Sequence, residues 1–484
     1  MSGLLRLVPD EPEPVHGLAT PARHSGHPRP AGPADPLDAL AEELAEVCAA
    51  AVHPDEIAAV LEADGLTGEQ ITERYGRADA FDLAAELYAR VPRSHPEPPP
   101  RPDPWKVHPA QFPLRSLVFT LPGFGYALGA PMMTGARDHY GLPQGTAALV
   151  ASALLAWAFN QGLAHRAYLR LAGGGRPAAA RVLARGAPLG ALLATAAALA
   201  LPAPAPVRAF AAGQAGYLAA ATCLLVLGRE RLLLLVLLPT AGGAALLPVL
   251  PLPVTARVLL LLATLCGAAG VAVRELLGAR GEPVPGGAGA LSPLASLPYG
   301  LFGLGCGVLT TLAALGDVLR ASTGARAAGP AVVSLTLSMG AAEWLLYRCR
   351  GRSLAALARA TTRPGLLLRV AGVLARCLAG YLAVLLALDL TVSRIWHGGP
   401  PLTVARLAAL LALGAVLWTG LLLQAFGLGR LPALLCLAAA GAESAALALR
   451  ISTATAVQLL VCATTAAALL AAATALLGRL TTHR

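Results

Sequence analysis

Residues 144–166 read QGTAALVASALLAWAFNQGLAHR, and from Gln144 to Ala164 not one of them is charged. An α-helix needs about 20 mostly apolar residues to cross the hydrocarbon of a bilayer. In lipid, only helices and closed barrels satisfy their own backbone polar groups. A barrel would show ten-residue segments of alternating polarity, whereas this run is continuous Leu, Ala, Val and Gly. Similar runs follow one another from about Arg115 to Leu480, separated by short loops that carry Arg. The expected fold is therefore all-α: a polytopic membrane protein of about 12 transmembrane helices in two parallel six-helix lobes, preceded by a small soluble helical domain.

The spans are expected at about 116–134, 144–163, 187–203, 207–227, 232–252, 255–273, 293–316, 328–347, 366–389, 402–427, 431–449 and 453–478. Pro122 and Pro131 interrupt the first, and a tight turn is expected near Arg450. With the N-terminus in the cytoplasm, inner loops hold seventeen Arg and outer loops seven, which satisfies the positive-inside rule. Both termini are then cytoplasmic, in the inner membrane of a bacterium. No apolar core of a signal peptide stands in the first thirty residues, so the internal spans are expected to direct insertion.

Composition agrees with a membrane chain. Hydrophobic residues make up 56 % and charged residues 13 %, against about 25 % charged in soluble domains. Residues 1–110 carry 19 Asp and Glu with 9 Lys and Arg, whereas residues 111–484 carry 8 and 28. The basic excess thus sits at the membrane surface, where anionic headgroups favour it. It does not imply nucleic-acid binding, and membrane lipids are the expected partners. Seven of the eight cysteines lie singly in or beside the spans and read as small packing residues.

The soluble part divides further. Residues 1–34 are Pro-rich and expected to be disordered. Residues 35–92 form a cytoplasmic helical domain: Leu37, Leu40, Leu44 and Val47 mark one amphipathic helix, and another starts near Asp55. Thr67 with Gln70 has capping-box form, and Asp79 caps a last helix bearing Phe81, Leu83, Leu87 and Tyr88. A domain of this size is marginal alone, so a cytoplasmic protein partner is expected. Residues 93–114 are a Pro-rich linker; lobe 1 spans 115–275, a cytoplasmic linker 276–292 and lobe 2 residues 293–480. The lobes look alike: Gln161-Gly162-Leu163-Ala164-His165-Arg166 closes span two as Glu343-Trp344-Leu345-Leu346-Tyr347-Arg348 closes span eight.

One resemblance to a known family is carried by Tyr140-Gly141-Leu142-Pro143-Gln144-Gly145, the span to Leu163, His165-Arg166, and Gly173-Gly174-Gly175-Arg176-Pro177-Ala178-Ala179-Ala180-Arg181. This stretch resembles the first lobe of polysaccharide flippases of the multidrug/oligosaccharidyl-lipid/polysaccharide exporter superfamily. It covers about sixty residues, with a fainter echo at Leu345–Arg376. The resemblance implies movement of a lipid-linked saccharide across the cytoplasmic membrane, with cleft Arg pairing a pyrophosphate. The acidic N-terminal domain, the single Lys106 and the scarcity of polar residues in the spans depart from the family pattern.

Ionisable groups inside spans are the functional candidates. Glu343 with Arg369 or Arg376 is expected either to bind a headgroup or to lock two helices as a structural ion pair. Asn160 and Gln161 are expected to contact a sugar or to bond between helices. Glu443 is an ion-coupling candidate or a partner of Arg450. Asp317 and Asp389 read as solvated helix ends. No metal or cofactor is expected. Enzyme function is not expected either: His139, His165 and His397 fall in or beside loops, and no metal-binding D-x-D, H-E-x-x-H or phosphate loop occurs in the spans. A transporter of the flippase type leads. The alternatives are a major-facilitator carrier, whose loop signature is absent, and a non-transporting scaffold that recruits a partner through the acidic domain.

Overall fold

The computed structural model describes residues 35–94, 111–133, 135–282, 292–320, 326–358, 362–396 and 399–477. The expected disorder of 1–34 and most of the 93–114 linker lie outside them. The described chain is helical and holds no strand, only an isolated bridge between Arg137 and Pro143. Two compact units separate, one within Glu11–Pro102 and one formed by the remainder.

The first unit has five helices, α1 (Pro36–Glu43), α2 (Ala45–Ala50), α3 (Pro54–Ala63), α4 (Gly68–Tyr75) and α5 (Ala80–Arg90). Leu37, Leu40, Ile57, Leu61, Ile71, Leu83 and Leu87 form its core. The single helix expected over Leu37–Val47 is broken at Leu44, with φ −96° and ψ 16°. The break shifts the inward register by one, so Cys48 is fully buried and Val47 only partly. The capping box is present: the Gln70 N–H donates to Thr67 Oγ1 at 3.4 Å, and the Thr67 N–H donates to Gln70 Oε1 at 3.0 Å. The Asp79 carboxylate accepts from the Asp82 N–H at 2.8 Å. Phe81 is largely exposed rather than part of the core.

Asp35 ties the two ends of this unit together. Its carboxylate accepts from the Leu37 N–H at 3.1 Å and from the Arg90 guanidinium at 3.2 Å. The backbone bond first, and Arg90 second, hold its pKa below the ordinary aspartate value. A carboxyl depressed on folding adds stability above its unfolded pKa and loses it as pH falls through the folded one. The unit is therefore expected to hold its melting temperature from neutrality to about pH 4 and to lose it below. In Asp35→Asn the melting temperature at pH 7 should fall and part of that acid slope should flatten. An unchanged slope in a pH series followed by circular dichroism would exclude the assignment.

The second unit begins with α6 (Gln111–Thr120), a 3-10 turn at Leu121–Gly123, α7 (Phe124–Gly129) and a second 3-10 turn at Ala130–Met133. Pro122 and Pro131 lie in those turns, where the missing N–H removes a helical bond. Next come α8 (Thr146–Leu199), α9 (Ala205–Val226), α10 (Glu230–Leu246), α11 (Val254–Arg280), α12 (Leu297–Arg320), α13 (Gly329–Leu337) and α14 (Met339–Ala358). The last four are α15 (Arg363–Ile395), α16 (Val404–Ala425), α17 (Arg430–Ala448) and α18 (Ala454–Leu477). Among the described residues eight helices are long and apolar enough to cross a membrane. A ninth results if α13 and α14, bent by 43°, are one span. The turn expected near Arg450 is there, and Arg450 takes a left-handed φ of 54°.

The 54-residue α8 is two antiparallel arms. Gly174 and Gly175 leave helical geometry, Gly175 at φ 66° and ψ −169°, a region that residues with a side chain avoid. A Cβ on Gly186 would meet Leu163, and one on Gly190 would meet Phe159. Four residues forward on one arm thus match four back on the other, and both pairs centre on Gly174–Gly175. Pro177 then begins the second arm, where a missing N–H breaks no bond.

The two largest buried cores of the unit are separate. One draws on residues 118–279, including Leu163, Leu183, Leu224 and Leu237; the other draws on residues 302–473, including Phe302, Leu385, Trp418 and Leu469. The main packing between these halves is α6 against α13 and α14, and α8 against α12. Cys266 is exposed; the other cysteines are buried, as packing residues should be.

Candidate functional site

A cavity of about 930 Å³ lies between the two halves. It runs from Val118, one turn beyond Arg115, to Met132 near the far end of the same segment. Ala153, Trp157, Asn160 and Gln161 come to it from the first arm of α8, and Gln214, Tyr217 and Thr222 from α9. Thr240 (α10) and Thr264 (α11) share a hydroxyl bond of 2.7 Å along its wall. The second half adds Thr310, Leu335, Thr336, Tyr381 and Trp418. Among the described residues no Asp, Glu, Lys, Arg or His lines it.

Beneath the cavity lies an ion cluster. Arg115 on α6 donates through Nη2 to Glu230 of α10 at 2.9 Å and through Nη1 to Glu343 of α14. The three side chains are buried or nearly so. Each stands within a turn of a lining residue: Val118, Leu233 and Ala342. Arg115 therefore holds one carboxylate of each half at the same end of the cavity. The α8–α12 seam is built differently. Gly162 and Gly300 bring backbone to backbone, and a Cβ on Gly300 would stand 3.0 Å from the Ala158 carbonyl. Close approach of this kind is how small residues join helices in lipid. One turn along, the His165 ring stacks on Tyr299 with centroids 3.5 Å apart, and its Nδ1 lies 3.0 Å from Ser296 Oγ.

The sequence candidates separate. Asn160 and Gln161 reach the cavity, 7 % and 8 % exposed, and Asn160 Oδ1 and Gln161 Nε2 are buried without a hydrogen-bond partner. Glu343 is paired with Arg115, not with Arg369 or Arg376; those two are exposed on α15 and do not line the cavity. Their distance from it follows from register, since the turns carrying them present Val370, Val373 and Cys377 inward. Glu443 is 1 % exposed in the second half, with Oε2 unpartnered. No ion pair joins it to Arg450, whose carbonyl accepts from Arg320 instead. Asp389 is buried rather than solvated, at 4 % exposure, and Asp317 pairs with Arg406 at 2.5 Å. His165, expected beside a loop, is buried within α8, because the arm continues two turns beyond it.

Arg115, Glu230 and Gln214 were not legible as site residues. Arg115 looks like an interface anchor before the first span, and only packing against α14 reveals its partner. Gln214 accepts the Tyr126 hydroxyl at 2.5 Å and leaves its own Nε2 unpartnered; a lone Gln in an apolar run was its one signal. The chain matches no protein-family model and no curated protein.

Proposed function

We propose that this chain is a carrier of the alternating-access type, with twelve crossings in two parallel six-helix lobes and both termini cytoplasmic. Counting each arm of α8, the α13–α14 pair once, the α6–α7 segment once and the 17-residue α10 gives twelve. A parallel repeat that sends each span to the sixth after it turns the α6–α14 contact into the α12–α8 contact, so the two seams are reciprocal. Setting Gln161 on Glu343 carries Arg115 onto Leu297, beside the Ser296 that meets His165. Similar register at chemically unlike seams supports the repeat.

The observation that carries the transport reading is the inter-lobe cavity with the Arg115 ion cluster near one end. Its volume falls in the usual range of ligand sites, about 300–1,000 Å³. The solute we propose is an amphipath with a sugar-bearing headgroup, whose polar part cannot cross hydrocarbon unaided. Rocking of the lobes about the seams would expose the cavity to each side in turn. The exposed Arg369 and Arg376 favour the scaffold reading, since neither lines the cavity.

The test is reconstitution of the full chain in vesicles with a fluorescent lipid-linked saccharide and an impermeant quencher. Protein-dependent movement between leaflets, retained in Arg376→Ala, is expected. Absence of movement, together with reporter cysteines in the cavity that react from one side only, would leave the scaffold.

A further inference from the structure

We infer that the headgroup taken by this cavity is uncharged and rich in hydroxyls, so that the ligand is a neutral glycolipid and not a phosphate-linked or pyrophosphate-linked lipid. The inference rests on the carrier reading and narrows its substrate class.

Three cavity-lining amides supply the recognition chemistry. Asn160 offers an unpartnered carbonyl oxygen, and Gln161 and Gln214 offer unpartnered NH₂ groups, all on cavity-lining side chains. Buried polar groups in a folded protein are ordinarily satisfied, so three orphan atoms on side chains that line one space mark where a ligand's bonds belong. An amide presents donor and acceptor together, and a sugar hydroxyl does the same. A phosphate is acceptor-only and would leave the Asn160 oxygen facing its negative charge.

The electrostatics point the same way. A desolvated phosphate carries full charge and calls for a cation beside it, and among the described residues no Arg, Lys or His lines the space. Arg208 and Arg257 adjoin the lining residues Ala209 and Val258 without lining the space themselves. Arg115, at one end, already sets a single guanidinium against two carboxylates. An anion entering from that end would meet repulsion. Threonine hydroxyls aside, the remaining wall is apolar or aromatic, with Trp157, Tyr217 and Trp418 among its faces. Sugar rings stack their C–H faces on such surfaces, and an acyl chain packs against the Leu-lined part.

The intact protein in vesicles tests this with two lipids of identical tail label, a monoglucosyl diacylglycerol and phosphatidic acid. The glucosyl lipid should exchange between leaflets at least tenfold faster than in protein-free vesicles, with phosphatidic acid at background. Gln161→Leu should remove most of the glucosyl-lipid rate. As a check independent of any variant, a brominated alkyl glucoside should quench Trp157 and Trp418 fluorescence saturably, and a brominated alkyl phosphate should not. Phosphatidic acid moving as fast as the glycolipid, or the alkyl phosphate quenching equally, overturns the inference and leaves the carrier standing. Movement of neither lipid, with cavity cysteines reactive from both sides, does the same. Movement of neither, with one-sided reactivity, removes both.

Discussion

Arg115→Ala is expected to be the most damaging single change in the membrane unit, lowering stability by about 3–5 kcal/mol, the usual loss when one partner of a buried pair is removed. The guanidinium serves Glu230 and Glu343 together, so its removal leaves two buried carboxylates facing each other. Their repulsion should also open the Arg115 end of the cavity. A melting curve in mild detergent reads the first effect, and thiol reactivity of a cysteine placed at Val118 reads the second. The triple change Arg115→Met, Glu230→Gln, Glu343→Gln should recover most of the loss, because replacing a whole buried ionic cluster is often neutral or stabilising. If the single variant melts like the parent, the cluster is an ornament of the surface and no latch.

Trp418→Ala comes second, at about 3–5 kcal/mol for truncating a buried Trp. Its indole is 1 % exposed, donates to the Ala342 carbonyl at 3.1 Å and lies nearly parallel to the Tyr381 ring at 6.2 Å. It therefore pins α16 to the turn of α14 that carries Glu343. Trp418→Phe keeps most of the area and loses only the bond, so it should cost about 1 kcal/mol. Titration with a denaturing detergent against a native-state probe measures both. Equal losses for Ala and Phe would assign the whole effect to the hydrogen bond and none to packing.

The apolar runs announced a helical membrane bundle because lipid leaves the backbone few choices, and the prolines of the first span marked its breaks in advance. A reversal between spans two and three was expected as a long connection over about 164–186, but both arms stay helical to Gly174–Gly175, and the sequence reading did not place the turn there. What the sequence did not disclose was pairing in space. Arg115 and Glu343 are 228 positions apart, and Glu343 had nearer Arg residues along the chain that the helix register turns outward. Asn160 and Gln161 were found because polar residues are few in such spans, so each one present stands out. Gln214 had the same signal, but its cavity comes into being only when α9 meets α7. The domain caps were legible because capping is local; the break at Leu44 answers to the core and was not.

The distribution of thiols has a practical outcome. Cys266 alone is accessible, so a Cys266→Ser chain would be silent toward maleimide and methanethiosulfonate reagents in its native state. A single reporter placed on either side of the seam between the halves would then give an unmixed signal. Spin-label distances across that seam could be recorded in lipid, with no need to strip the seven cysteines that fill the interior.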